Sequence, residues 1–158
     1  FELLTNSPAE SLQINDELHT SEEKAVLKAR VLLAEDNPVN QELVKTLFRL
    51  KPWTLDVVDN GQKAVDKALE TDYDLILMDI QMPVMNGIEA SKIIYENSQK
   101  DGKSIAVIGL TAYSLNKEKK KELQAYMETI IEKPFTREQL FTTVESLLEK
   151  RNKYRFTE

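Results

Sequence analysis

The sequence holds 158 residues with a net charge of -6 and no cysteine. That length fits one domain with its own core plus tails. The missing cysteines exclude a disulfide framework and a thiolate metal site, which suits a reducing compartment, and the acidic balance argues against a general nucleic-acid binder. No apolar run approaches the ~18 residues of a membrane span. Phe1 to Thr5 carries neither an initiator Met nor a signal-peptide pattern. The expectation is a cytoplasmic piece of a longer protein, with no direct membrane contact of its own.

Residues 1–29 read as a linker, with turn formers at Asn6-Ser7-Pro8 and Asn15-Asp16 and weak apolar spacing. Thr20 with Glu23 forms a candidate capping box for a short helix to Ala29. His19, the only histidine, lies here and reads as an inert linker residue.

Order begins near Arg30. Val31-Leu32-Leu33-Ala34 is a short apolar run fit for a buried strand, ending in Glu35-Asp36-Asn37. Asn37 as N-cap and Pro38 at the first position open a helix whose apolar residues are Val39, Leu43, Val44, Leu47 and Leu50. Lys51-Pro52 stops it. Thr54 to Val58 is a second strand, closed by the turn former Asn60-Gly61. Gln62 to Thr71 is a helix lined by Ala64, Val65, Ala68 and Leu69.

Leu75 to Met78 is a third strand that ends abruptly in Asp79, before a loop marked by Met82-Pro83 and Asn86-Gly87. A helix from Ile88 to Asn97 packs through Ile88, Ile93 and Ile94. Ile105 to Leu110 is a fourth strand ending in Thr111-Ala112, followed by a lysine-rich helix from Ser114 to Tyr126. Thr129 to Ile131 is a fifth strand, leading into Glu132-Lys133-Pro134. Thr136 with Gln139 caps a last helix that runs to about Lys150, with Phe135 stapled onto Leu140. Arg151 to Glu158 reads as a polar tail.

Five βα units in succession imply a parallel sheet with helices on both faces. In such sheets ligands bind at the carboxyl edge of the strands. Glu35, Asp36, Asp79, Thr111 and Lys133 all follow strands and fall on that edge. A lone acid ending a buried strand is costly without partners, so Asp79 reads as a reactive group displayed on a rigid rod. Glu35, Asp36 and Asp79 together would crowd three carboxylates. Two unit charges ~4 Å apart repel by about 4 kcal/mol at an effective dielectric near 20. Such a cluster invites a hard divalent cation with oxygen ligands, above all Mg2+.

Four segments, Leu33-Ala34-Glu35-Asp36-Asn37-Pro38-Val39-Asn40-Gln41, Met78-Asp79-Ile80-Gln81-Met82-Pro83-Val84-Met85-Asn86-Gly87, Leu110-Thr111-Ala112 and Glu132-Lys133-Pro134-Phe135, resemble the receiver domain of response regulators over residues 30–150. The Asn-Pro-Val-Asn-Gln run is most similar to receivers of hybrid sensor histidine kinases. The resemblance implies a flavodoxin-like (βα)5 sandwich with strand order 2-1-3-4-5. It implies a phosphorelay module that takes a phosphoryl group from a phosphohistidine onto Asp79, catalysing its own phosphorylation and dephosphorylation. It assigns Mg2+ to Asp36, Asp79 and the Gln81 carbonyl, with Glu35 helping directly or through water. It places Thr111, the Ala112 backbone N–H and Lys133 on the phosphoryl oxygens, and a cis bond before Pro134. Its partner would be a histidine kinase or a histidine phosphotransfer protein, docking near Val39 and Asn40. It offers no nucleic-acid unit and leaves a homodimer open.

Two positions depart from the family pattern. Ile130 stands where an aromatic switch residue is usual, so Thr111 is expected to move while Ile130 changes rotamer little. Tyr126 replaces a helix-closing glycine, so that helix should end differently, and its ring is a candidate substitute for the missing aromatic. Duller readings stay open: Asp79 as a solvated strand end, Lys133 as a surface lysine, Lys117, Lys119, Lys120 and Lys121 as a solvated helix face, or the whole as a degenerate receiver that only docks. A phosphate-ester hydrolase is disfavoured by Gln81, which occupies the place of a general acid, and a flavin protein by the acidic first loop.

Overall fold

The computed structural model describes residues 27–155, the last three by backbone alone. The linker reading, His19 and the start of the helix expected from Thr20 lie outside the described residues. The strands are β1 (Ala29–Ala34), β2 (Trp53–Val58), β3 (Leu75–Asp79), β4 (Ala106–Thr111) and β5 (Thr129–Glu132). The helices are α1 (Pro38–Phe48), α2 (Gly61–Glu70), α3 (Gly87–Lys100), α4 (Lys117–Leu123) and α5 (Arg137–Arg155). All strand pairs are parallel, in the order β2-β1-β3-β4-β5. This is the flavodoxin-like order implied above, and its topological switch point lies between β1 and β3.

The strand period of two divides the core. Val31, Leu33, Leu75, Leu77, Ile108 and Leu110 face Val44 and Phe48 of α1 and Leu140, Val144, Leu147 and Leu148 of α5. Leu32, Ala34, Ile76, Met78 and Val107 face Ala64 and Val65 of α2, Ala90 and Ile94 of α3, and Leu123 of α4. Burial on both faces explains why the strands read as unbroken apolar runs. The result is a stiff sheet whose central strands end together.

Asparagine sets where four of the helices begin. The side chains of Asn37, Asn60, Asn86 and Asn116 accept from the backbone N–H of Val39, Lys63, Glu89 and Lys119 respectively. Asn60-Gly61 and Asn86-Gly87 therefore open helices, so α2 and α3 start a residue earlier than the turn reading predicts. Thr136 and Gln139 exchange the hydrogen bonds of a capping box before α5.

Several expectations are corrected. Ala29 begins a strand, so no helix reaches it. Val39 (75% exposed), Leu43 and Leu69 are exposed, because the faces of α1 and α2 that meet the sheet are centred on Val44–Phe48 and Ala64–Val65, and Leu50 is exposed in the turn after α1, which ends at Phe48 and not at Leu50. The fourth helix is shorter than expected, since Asn116 caps it late and the chain turns after Leu123. Its end holds no residue of positive φ: Gln124 is right-handed, and the N–H groups of Tyr126 and Met127 both donate to Leu123 O at 3.0 and 2.8 Å. The last helix continues to Arg155, so residues 151–155 are helical and not a tail.

Candidate functional site

Glu35 and Asp36 follow β1, Asp79 closes β3, Thr111 closes β4 and Lys133 follows β5. The parallel register brings these ends to one edge. Ligand oxygens of Glu35, Asp36 and Asp79 lie within 4.8 Å of one another. Lys133 Nζ is 2.6 Å from Glu35 Oε2 and 3.5 Å from Asp79 Oδ1. The Lys133–Pro134 bond is cis, and the Lys133 N–H donates to Thr111 O at 2.7 Å.

Burial grades the acids. Glu35 is 1% exposed and Asp79 6%, whereas Asp36 is exposed. Glu35 is held from all sides. Its Oε1 accepts from Asn37 N at 3.2 Å and Asn40 Nδ2 at 3.4 Å, and its backbone O accepts from Gln41 Nε2 at 2.6 Å. Asp79 Oδ1 accepts from the Gln81 N–H at 3.3 Å. Burial pushes the Asp79 carboxyl up to about 6; Glu35 adds to the rise and the Lys133 ammonium opposes it.

The backbone behind Asp79 is tightly packed. Gly87 N donates to Ile80 O at 2.9 Å, and a Cβ at Gly87 would stand 2.0 Å from Asp79 O. Only glycine allows α3 to begin so close to the strand end. Val84, in the loop between, has φ 69° and sits within a turn closed by Met85 N to Pro83 O at 2.8 Å.

The Thr111 side chain is buried, and its hydroxyl faces the next loop. It donates to Tyr113 O at 3.1 Å and accepts from Tyr113 N at 3.2 Å. Ala112 and Gln81 are exposed at the rim, Val39 and Asn40 lie on the first turn of α1, and Ile130 is half-buried in β5 against the second core layer. The Tyr126 ring packs edge-on against Tyr95 of α3, 5.7 Å between centroids. Residue reasoning missed the grip of Gln41 on Glu35 and the need for glycine at position 87. The Asn-Gly pair before α3 was the available signal for the second.

The geometry suits a hard cation: three carboxylates converge with oxygen donors only, and buried like charges leave Asp79 reluctant to ionise unaided. Fold and pocket together define a class, a flavodoxin-like module with an acidic, lysine-bearing cleft at its switch point. The sequence profile of the response regulator receiver domain matches residues 31–145. Hybrid signal transduction histidine kinase I of Dictyostelium discoideum is 34% identical over 124 residues, 75% of this chain and 7% of that protein. The receiver domain of a Pseudomonas aeruginosa sensor histidine kinase, solved with magnesium in its active-site cleft, is 34% identical with TM-score 0.69, covering 77% of this chain and 98% of that one. A chain from the Saccharomyces cerevisiae co-crystal structure of the phosphotransfer protein Ypd1 with the Ssk1 receiver domain is 30% identical with TM-score 0.70, covering 76% and 88%. The chain belongs to the response regulator receiver domain family. It is a receiver module of the kind carried by hybrid histidine kinases and response regulators in phosphorelays.

Proposed function

We propose that Asp79 is the phosphoacceptor of this receiver and that residues 30–150 form the working unit, preceded by a linker. The supporting observation is the convergence of Glu35, Asp36 and Asp79 oxygens within 4.8 Å, with Lys133 Nζ 3.5 Å from Asp79 Oδ1. An Asp79 carboxylate oxygen attacks phosphorus in a phosphohistidine, the P–N bond breaks, and the imidazole leaves with that electron pair. The product is an aspartyl phosphate. Phosphoryl transfer asks the protein mainly for positioning and charge neutralisation.

Asp36, Asp79 and the Gln81 carbonyl, with Glu35 behind them, would hold Mg2+. When bound, it supplies positive charge to the phosphoryl oxygens. Lys133 turns from Glu35 toward the same oxygens. The Thr111 hydroxyl leaves Tyr113 to reach them, and the Ala112 backbone N–H joins it. The phosphoryl group biases the module by binding one arrangement of Thr111 better than the other.

The phosphodonor is a histidine kinase or a histidine phosphotransfer protein, docking at Val39 and Asn40 on α1. The chain spans 7% of the Dictyostelium kinase, and a hybrid sensor kinase working in the cytoplasm is the parent we favour. Among the described residues, no helix is long and apolar enough to cross a membrane. Incubation with acetyl phosphate and Mg2+ should add one acid-stable, alkali-labile phosphate. Equal labelling of Asp79→Ala would refute the assignment.

A further inference from the structure

We infer that Gln41 is a positioning residue for the metal-binding acids, acting through the peptide that joins Glu35 to Asp36. The inference rests on the functional reading above. β1 pairs with both neighbours only as far as Ala34, opposite Val58 and Met78. One residue further, Glu35 N still reaches Val58 O at 3.0 Å, while its carbonyl lies beyond both ladders. Gln41 supplies the missing donor: its Nε2 lies 2.6 Å from Glu35 O.

That carbonyl and the Asp36 N–H belong to one planar peptide unit. Fixing the carbonyl therefore fixes the direction in which Asp36 leaves the strand. Asp36 needs this, because among the described residues its exposed carboxylate has no hydrogen-bond partner to orient it. Glu35 is already gripped by Lys133, Asn37 and Asn40, and Asp79 by its buried strand. The direction of Asp36 thus depends on backbone alone, and the side chain of Gln41 governs that backbone. Gln41 is itself anchored, since its N–H donates to Asn37 O at 3.0 Å as α1 begins. The amide thereby ties the first helix to the acidic corner.

Groups that orient ligands from behind typically change metal affinity by about 10- to 100-fold when removed. Acting through one peptide plane, Gln41 belongs at the lower end. Gln41→Met keeps length and removes the donor. Calorimetric titration with MgCl2 should give a dissociation constant about tenfold weaker than wild type. In acetyl phosphate labelling, the half-saturating Mg2+ concentration should rise by more than the rate at saturating Mg2+ falls, which general loosening of the fold would not produce. In wild type, the Gln41 side-chain amide protons should exchange slowly with solvent and shift on Mg2+ addition, a test that stands even if Gln41→Met fails to fold. Equal Mg2+ affinity in Gln41→Met, or fast-exchanging amide protons that Mg2+ leaves unmoved, overturns the inference and leaves the functional reading intact. A wild-type chain that binds no Mg2+ overturns both.

Discussion

Replacing Asp79 with Asn should stabilise the metal-free protein, although it destroys the acid at the centre of the site. Asp79 is buried beside Glu35, and its carboxyl sits near 6 in place of 3.8. A folded-state value above the unfolded one means that the native state binds the extra proton between those pH values, so stability falls as pH rises through that window. At 1.36 kcal/mol per unit, the ionised acid costs about 3 kcal/mol above pH 7 and about half that at pH 5. Asparagine has the shape of the carboxyl without the charge. Urea unfolding in EDTA at pH 7.5 should therefore show Asp79→Asn about 3 kcal/mol more stable than wild type, with the gap narrowing at pH 5. Mg2+ at a hundred times its dissociation constant should return about 2.7 kcal/mol to wild type by mass action and little to the variant. If Asp79→Asn is no more stable at pH 7.5, or its advantage grows as pH falls, then Asp79 is not a strained buried charge and the electrostatic reasoning is wrong.

Gly87→Ala drives a methyl into Asp79 O, 2.0 Å away at its ideal position, and should cost about 3 kcal/mol or more in urea unfolding; a loss under 1 kcal/mol would show that α3 has room to shift. Val84 is 84% exposed at φ 69°, so Val84→Gly relieves backbone strain without losing packing and should raise stability by about 1 kcal/mol, whereas a drop of that size would mean the turn is unstrained. Methyl spectra of Ile130 with and without Mg2+ and beryllofluoride should show one retained rotamer while signals at Thr111 move; a large Ile130 rotamer change would restore the switch role that its aliphatic side chain argues against.

The order of elements and the ends of the strands were legible because the strands are buried on both faces: Val31–Ala34 and Leu75–Met78 read as solid apolar runs, and each run stops where polar chemistry begins. The acidic cluster was legible for the same reason, since Asp79 is conspicuous at the end of such a run. Helix faces were harder to read. Val39, Leu43 and Leu69 keep helical spacing, yet they lie off the faces of α1 and α2 that meet the sheet, which bury Val44, Phe48, Ala64 and Val65. Asn60-Gly61 and Asn86-Gly87 were ambiguous because the same pair makes a turn or a cap, and only the amide three residues on decides. Gln41 was invisible as a site residue: its bond to Glu35 spans the corner between strand and helix, which no periodicity describes. The Thr111 hydroxyl, turned onto Tyr113, depends on loop geometry that residue type does not fix.

The central claim, that Asp79 accepts phosphorus, is tested most directly by trapping and locating the acyl phosphate. After incubation with acetyl phosphate and Mg2+, borohydride reduction and peptide mass mapping should find homoserine at position 79 in the labelled fraction and nowhere else. An unmodified aspartate at 79, with label at another residue, would contradict the account.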